Sequence, residues 1–347
     1  MQNKKKILIF NVNWLGDVLF STAAIRNIRY NFPDSFIVCI IPERCYPVLE
    51  GNPYLDEIII YDEKGKHRSL LSKLGFIGYL RKIRFDMVFL LHRSFSRALI
   101  TALAGIPERI GYYTRKRGFL LTKKIPPVDI NSLHRIDYYL NVIKKAGIEV
   151  KDKFTDFFVS EGDLKFVDDF LVKELSRSAG KDNGTFLVGI NPGGNWSPKR
   201  WPKEYFAEIA DRLIKEFSAK IIITGSSGDL ALAGEISSAM RAKPILACGI
   251  LNLKQFAVMS KAMDLFITAD SGPLHIANAV GTKKIIALFG PTDPAITGPF
   301  PSENVIILRK DVGCRIPCYV VDCKNNRCMK AITVDDVIKE VEKIVNK

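Results

Sequence analysis

Short apolar runs recur along the chain, each followed by a polar or glycine-bearing turn and then by a stretch with helical spacing. The first run, 5–12, predicts a buried strand. Trp14, Leu15, Gly16 and Asp17 read as its turn, and 18–30 as a helix with Leu19, Ala23 and Ile28 on one side. Strands are expected at 36–41, 57–61, 86–91 and 109–112, with helices at 46–49, 70–83 and 96–103 between them. Such alternation implies a parallel sheet covered on both faces. Between 109 and 135 the periodicity is lost. That basic, aromatic stretch reads as a loop excursion carrying Arg115, Lys116, Arg117, Lys123 and Lys124. Helices follow at 133–145 and 161–178, and a small-residue linker at 180–184 places the junction within 155–185.

The second half repeats the alternation. It has strands at 186–191 and 221–224 and helices at 202–217, 229–240 and 251–260. In 263–294 a strand, 265–268, meets Asp270, Ser271 and Gly272, and Pro273 suits the first position of the next helix. His275 falls in that helix's first turn, Gly281 stops it, a strand covers 284–289, and 290–294 forms a rigid loop. Unpaired amides at such a helix start, together with the helix dipole, make a natural phosphate seat. The loop 191–202 contains Gly193 and Gly194, then Lys199 and Arg200, and suits a diphosphate. It lacks the spacing of a Walker loop. The last helix, 334–345, is capped by Thr333 and runs from acidic to basic residues.

Composition adds size and charge. With 347 residues, 47% of them hydrophobic, the chain can build two cores. No apolar run reaches the length of a membrane span, and the short run after Lys4–Lys6 is no signal peptide, so a cytoplasmic location is expected. The net charge of +14 suits an anionic membrane surface or acidic, phosphorylated substrates. No nucleic-acid motif accompanies it, and no nucleic-acid partner is expected. Of seven cysteines, Cys39, Cys45 and Cys248 are scattered, whereas Cys314, Cys318, Cys323 and Cys328 cluster. Their spacing is looser than paired CxxC, and a structural thiol-rich loop is the stronger reading against a metal site.

Three motifs in order carry a family resemblance: Leu15-Gly16-Asp17-Val18-Leu19, the segment 191–202 ending Lys-Arg-Trp-Pro, and Asp270-Ser271-Gly272 with His275 and the 290–294 loop. Together they resemble glycosyltransferase family 9, the ADP-heptose:lipopolysaccharide heptosyltransferases, and are heptosyltransferase II-like. The resemblance implies an α/β, GT-B architecture: two Rossmann-like doubly wound domains facing a central cleft. Residues 1–165 would bind acceptor, 166–330 would bind nucleotide sugar, and the helix in 331–347 would pack back on the first domain. It implies inverting, metal-independent transfer of L-glycero-D-manno-heptose from ADP-heptose to the inner core of lipopolysaccharide, without a cofactor. The acceptor would be Kdo2-lipid A or its heptosylated form, with peripheral contact at the inner membrane. Asp17 matches the family's base and Lys199 its lysine. Gly194, Asn195, Lys199, Leu251, Asp270, Ser271, Gly272 and His275 would hold the nucleotide sugar. Arg93, Arg97, Arg115 and Arg117 are candidates for the acidic acceptor. A family member using another sugar or acceptor, and a non-catalytic nucleotide-sugar or polyanion binder, are the alternatives.

Overall fold

The computed structural model describes residues 4–177, 185–194 and 196–346. Its contacts divide the chain into two units, Met1–Phe158 and Val159–Lys347. The first unit runs β1 (Lys6–Phe10), α1 (Leu15–Asn31), β2 (Phe36–Ile41), α2 (Tyr46–Leu49), β3 (Glu57–Ile60), α3 (Leu70–Ile83), β4 (Met87–Leu90), α4 (Phe95–Leu103), β5 (Glu108–Tyr112), β6 (Lys123–Ile125) and α5 (Arg135–Lys145). The second opens with α6 (Glu161–Arg177), β7 (Leu187–Asn191), α7 (Lys203–Phe217), β8 (Lys220–Ile223), α8 (Leu230–Ala239), β9 (Ile245–Leu246) and α9 (Leu253–Ala262). It continues with β10 (Leu265–Ala269), α10 (Gly272–Ala279), β11 (Ile285–Leu288), α11 (Pro294–Thr297), β12 (Val305–Leu308), α12 (Arg327–Lys330) and α13 (Val334–Val345).

Each unit has one six-stranded sheet, ordered β3-β2-β1-β4-β5-β6 and β12-β11-β10-β7-β8-β9, and every pairing is parallel. The central strands are apolar and buried along their length because helices cover both faces of a parallel sheet. In each sheet the strand order reverses once, between β1 and β4 and between β7 and β10. At such a switch point the loops leaving the two strands diverge, and a crevice opens at their carboxyl ends.

The edges depart from the sequence expectation. β6 lies inside the stretch read as a loop. Only Ile125 of its three residues is buried, so an edge strand carries almost no hydrophobic pattern. The two-residue β9 and the partly exposed β12 are edges of the same kind. The junction lies before α6, not at 165/166, because α6 packs against α9 within the second unit. The terminal helix builds on the second unit. Val334, Val337, Ile338 and Val341 join the second unit's core, and α13 lies against α7 and β12. Its capping box is formed, with the Asp336 amide donating to Thr333 Oγ1 at 3.2 Å and the Thr333 amide to Asp336 Oδ2 at 2.9 Å.

Candidate active site

In the first unit, α1 begins at Leu15 rather than after the GD turn, so Asp17 sits within its first turn. Helix α5 packs along α1 and supplies partners that the sequence reading did not identify. Tyr139 Oη donates to Asp17 Oδ1 at 2.8 Å, and Arg135 Nε stands 3.5 Å from the same oxygen. Neither contact uses Oδ2. Burial, then the Asp17 charge, holds the Tyr139 hydroxyl well above the usual tyrosine range, so it stays a donor. Helix α1 is fixed from behind. Buried Arg26 pairs with Asp152 at 2.5 Å and Asp156 at 2.7 Å, and Asn27 Nδ2 donates to Asp152 O at 2.9 Å.

The four acceptor arginines separate into two kinds. Arg115 is exposed. Arg93 is half-buried, donates to Val128 O at 2.6 Å, and lies over the rings of Tyr112 and Tyr138 at 4.9 and 5.2 Å. Arg97 and Arg117 do not face an acceptor as expected, because both are buried against the protein's own acceptors. Arg97 donates to Asn11 O and, at 2.5 Å, to Asn13 Oδ1. Arg117, 0% exposed, donates to Tyr112 O at 2.7 Å and His92 O at 2.5 Å. Gly111 makes room for it: a Cβ there would stand 3.2 Å from Arg117 Nη2 and 3.0 Å from Leu90 O. Arg117 is therefore an internal brace behind β5. Replacing Arg117 with Ala should strip buried carbonyls of their donor and lower stability by about 3 kcal/mol, read as a fall in the thermal unfolding midpoint.

In the second unit the loops leaving β7 and β10 meet at the switch point. Lys199 Nζ is 2.7 Å from Asp270 Oδ2, and His275 Nε2 is 3.4 Å from Asp270 Oδ1. Thr297 Oγ1, a further contact not expected from the sequence, donates to Asp270 Oδ2 at 3.4 Å. Burial of Asp270 would raise its carboxyl. The His275 hydrogen bond and the Lys199 charge overcome this and hold it well below the usual carboxylate range. Lys199 also lies over the Trp196 ring at 5.5 Å.

Ser271 stands at the N-cap of α10, yet its side chain makes no cap bond and its buried Oγ has no protein partner. Thr292 Oγ1, on the loop after β11, is likewise buried without one. A helix start with an unused hydroxyl and an adjacent ammonium suits phosphate oxygens. Gly272 and Pro273 form the first positions of α10.

The glycine loop has a second reason for its composition. A Cβ on Gly193 would lie 2.5 Å from the Asp229 carboxyl, which caps the turn at 226–229. Gly194 has a φ of 156°, and its carbonyl accepts from Arg200 Nε and Nη2 at 2.9 and 2.6 Å. Arg200 therefore braces the loop. Asn195 lies outside the described residues. Leu251 is half-buried just before α9, whose cap is Asn252.

Cys314, Cys318, Cys323 and Cys328 line one cavity of about 110 Å³ together with Pro198 and Pro291. Among the described residues no group of three or more His, Cys, Asp or Glu is arranged to hold a metal ion. The cysteine loop is tied to its neighbours instead. The Cys318 amide donates to Pro291 O at 2.7 Å, and Asn326 Nδ2 to Arg200 O at 3.0 Å.

Known proteins share this fold. The chain is 28% identical over 320 residues to lipopolysaccharide heptosyltransferase 2 of Escherichia coli K12, covering 87% of each chain. The structure of a family 9 glycosyl transferase from Veillonella parvula superposes with a TM-score of 0.88 at 27% identity, covering 99% of this chain and 98% of that one. The E. coli ADP-heptose lps heptosyltransferase II superposes with a TM-score of 0.78 at 25% identity, covering 98% of both. The family pattern described as glycosyltransferase family 9 (heptosyltransferase) matches residues 75–328. The two doubly wound α/β units are those of a GT-B enzyme, and the chain belongs to glycosyltransferase family 9.

Proposed function

We propose that this glycosyltransferase moves L-glycero-D-manno-heptose from ADP-heptose to the inner core of lipopolysaccharide, onto a Kdo or heptose hydroxyl, with inversion. The hydroxyl oxygen attacks the anomeric carbon while its proton passes to Asp17. The bond from that carbon to the diphosphate oxygen breaks, and ADP leaves with the electron pair. Lys199, the Gly272 amide, the Ser271 hydroxyl and His275 meet the charge that develops on the leaving group. Asp270 keeps Lys199 and His275 in place and contacts the sugar. Gly194 and Asn195 shape the diphosphate loop, and Leu251 packs on the adenine. Arg93, Arg115 and Arg135 receive the acidic acceptor. No metal or cofactor takes part in this reading.

The observation that carries the reading is the Lys199–Asp270–His275 cluster at the switch point of the second sheet, beside the unused Ser271 hydroxyl. The similar lipopolysaccharide heptosyltransferase 2 and ADP-heptose lps heptosyltransferase II of E. coli point to the sugar and the acceptor class. The test is transfer from ADP-heptose onto defined truncated core acceptors, with UDP-sugars and other ADP-sugars in parallel. Turnover confined to ADP-heptose supports the reading. Preference for another sugar overturns the donor assignment.

Tyr139 supplies a finer check. In Tyr139→Phe the carboxylate loses its 2.8 Å donor but keeps Arg135. Turnover should fall by about tenfold with KM for ADP-heptose unchanged, because the lost bond orients the base and does not bind donor. A raised KM with normal kcat would contradict that role.

A further inference from the structure

One surface of the first unit has no part in the chemistry above. The turn before α3 and the start of that helix expose Leu70, Leu71 and Leu74, at 74%, 81% and 51%. The rest of α3 packs normally, burying Phe76, Ile77 and Leu80. The leucines are therefore displayed by a helix that is anchored further along. Their presentation is fixed from both sides. Ser69 caps α3 by accepting from the Ser72 amide at 3.1 Å. Asp62 accepts from the amides of Lys64, Gly65 and Lys66 at 2.9 to 3.1 Å, which holds the preceding turn.

The charge of this stretch is one-sided. From 64 to 84 there is no Asp or Glu, while Lys64, Lys66, Arg68, Lys73, Arg81, Lys82 and Arg84 are all basic. Lys64, Lys66 and Arg68 are exposed directly beside the leucines. The apolar surface extends toward the start of α4. Glu63, at the root of the turn, accepts from Ser96 Oγ at 3.4 Å, and α3 packs on α4. There Phe95 meets Phe119, with ring centroids 6.3 Å apart, and Phe119 is 74% exposed. Exposed Arg115 and Lys116 lie just before it in the chain. This surface lies at the carboxyl edge of the sheet, the edge from which Asp17 follows β1.

Large apolar side chains ringed by Lys and Arg, with the nearby carboxylates Asp62 and Glu63 engaged by turn amides and by Ser96, match the interface of an anionic bilayer: the apolar tips enter the acyl boundary and the cations meet headgroup phosphates. No helix among the described residues is long and apolar enough to cross a membrane, so the contact is peripheral. We propose that the face formed by Leu70, Leu71, Leu74, Phe95 and Phe119, with Lys64, Lys66 and Arg68, docks the first unit on an anionic lipid surface. It would thereby present the carboxyl edge of its sheet to acceptors carried in that surface. The proposal deepens the functional reading above, whose acceptor is lipid-borne, but its test needs no heptose transfer.

The full-length protein is floated with vesicles of phosphatidylethanolamine and phosphatidylglycerol, and separately with vesicles of phosphatidylcholine alone. Binding is expected only to the anionic vesicles and should fall at high salt. Leu70→Ser combined with Leu71→Glu, and separately Lys64→Gln, Lys66→Gln and Arg68→Gln combined, should each lower partitioning by at least about tenfold. Unfolding midpoints should match the parent, because these side chains are exposed. Val172→Glu, on exposed α6, should bind as the parent does. Equal binding to both vesicle types, or full binding by both variants, overturns the proposal. So does a dimer in light scattering that the leucine variant abolishes, since the face would then be an interface between copies. Failure of ADP-heptose transfer alongside normal vesicle binding would count against the functional reading and leave this one standing.

Discussion

Asp17→Asn is expected to lower turnover by about a thousandfold or more while ADP binding changes by less than about twofold. The two effects separate because of where Asp17 sits. Its neighbours Tyr139 and Arg135 come from α5, in the same unit, and both address Oδ1. An asparagine carbonyl oxygen can accept from the same two donors, so the local fold needs no rearrangement. What it cannot do is take the proton of an attacking hydroxyl. The measurement is single-turnover transfer beside ADP titration calorimetry. Turnover within tenfold of the parent would remove Asp17 from the role of base. The carboxylate would then be an anchor for α5 alone.

The parts of the fold that were legible in the sequence are those with dense local signals. The strands β1, β2, β4, β7 and β10 are continuous apolar runs, and each was expected within one or two residues of its observed place. Both doubly wound units follow from that alternation. The start of α1 was read late because Gly16 and Asp17 are weak helix formers, although the first turn of a helix tolerates both. The edges β6, β9 and β12 were missed because an edge strand buries few residues and so needs little pattern.

The Lys199–Asp270–His275 cluster was legible because its members lie in compact motifs. The site was not legible where the fold makes the contact. Tyr139 lies 122 positions from Asp17 and reaches it only because α5 packs on α1. Arg97 and Arg117 show the converse limit. A sequence records their charge but not that folded carbonyls enclose it, and a basic loop looks the same whether its arginines face water or the core. Gly111 held a usable signal, because a glycine within a strand often marks a close approach, here of Leu90 O and Arg117.

Lys199→Met should lower kcat/KM for the sugar nucleotide by about a hundredfold to a thousandfold, since the departing diphosphate loses its nearest ammonium. That result alone would not show whether Lys199 serves the substrate or only Asp270. The Asp270 side chain is 3% exposed, and removing its lysine leaves a buried carboxylate held only by His275 and Thr297 among the contacts described above. Part of the loss could therefore be instability of the second unit. The double variant Lys199→Met with Asp270→Asn separates the two causes, because it removes the charge that had lost its partner. Stability should recover toward the parent while transfer stays low. Recovery of transfer together with stability would make Lys199 a structural partner only.

The pH dependence sharpens the comparison. The folded value of Asp270 is depressed, so its stabilising contribution is fully present above the ordinary carboxylate range, near 3.8, and is lost only as pH falls toward the lower folded value. Between about pH 5 and pH 8 Asp270 is ionised throughout. In the parent the Lys199–Asp270 pair should therefore stay intact across that window, read as an unchanged KM for ADP-heptose at both ends. A KM that rose toward the acid end would mean that the Lys199–Asp270 pair is not the unit holding the leaving group.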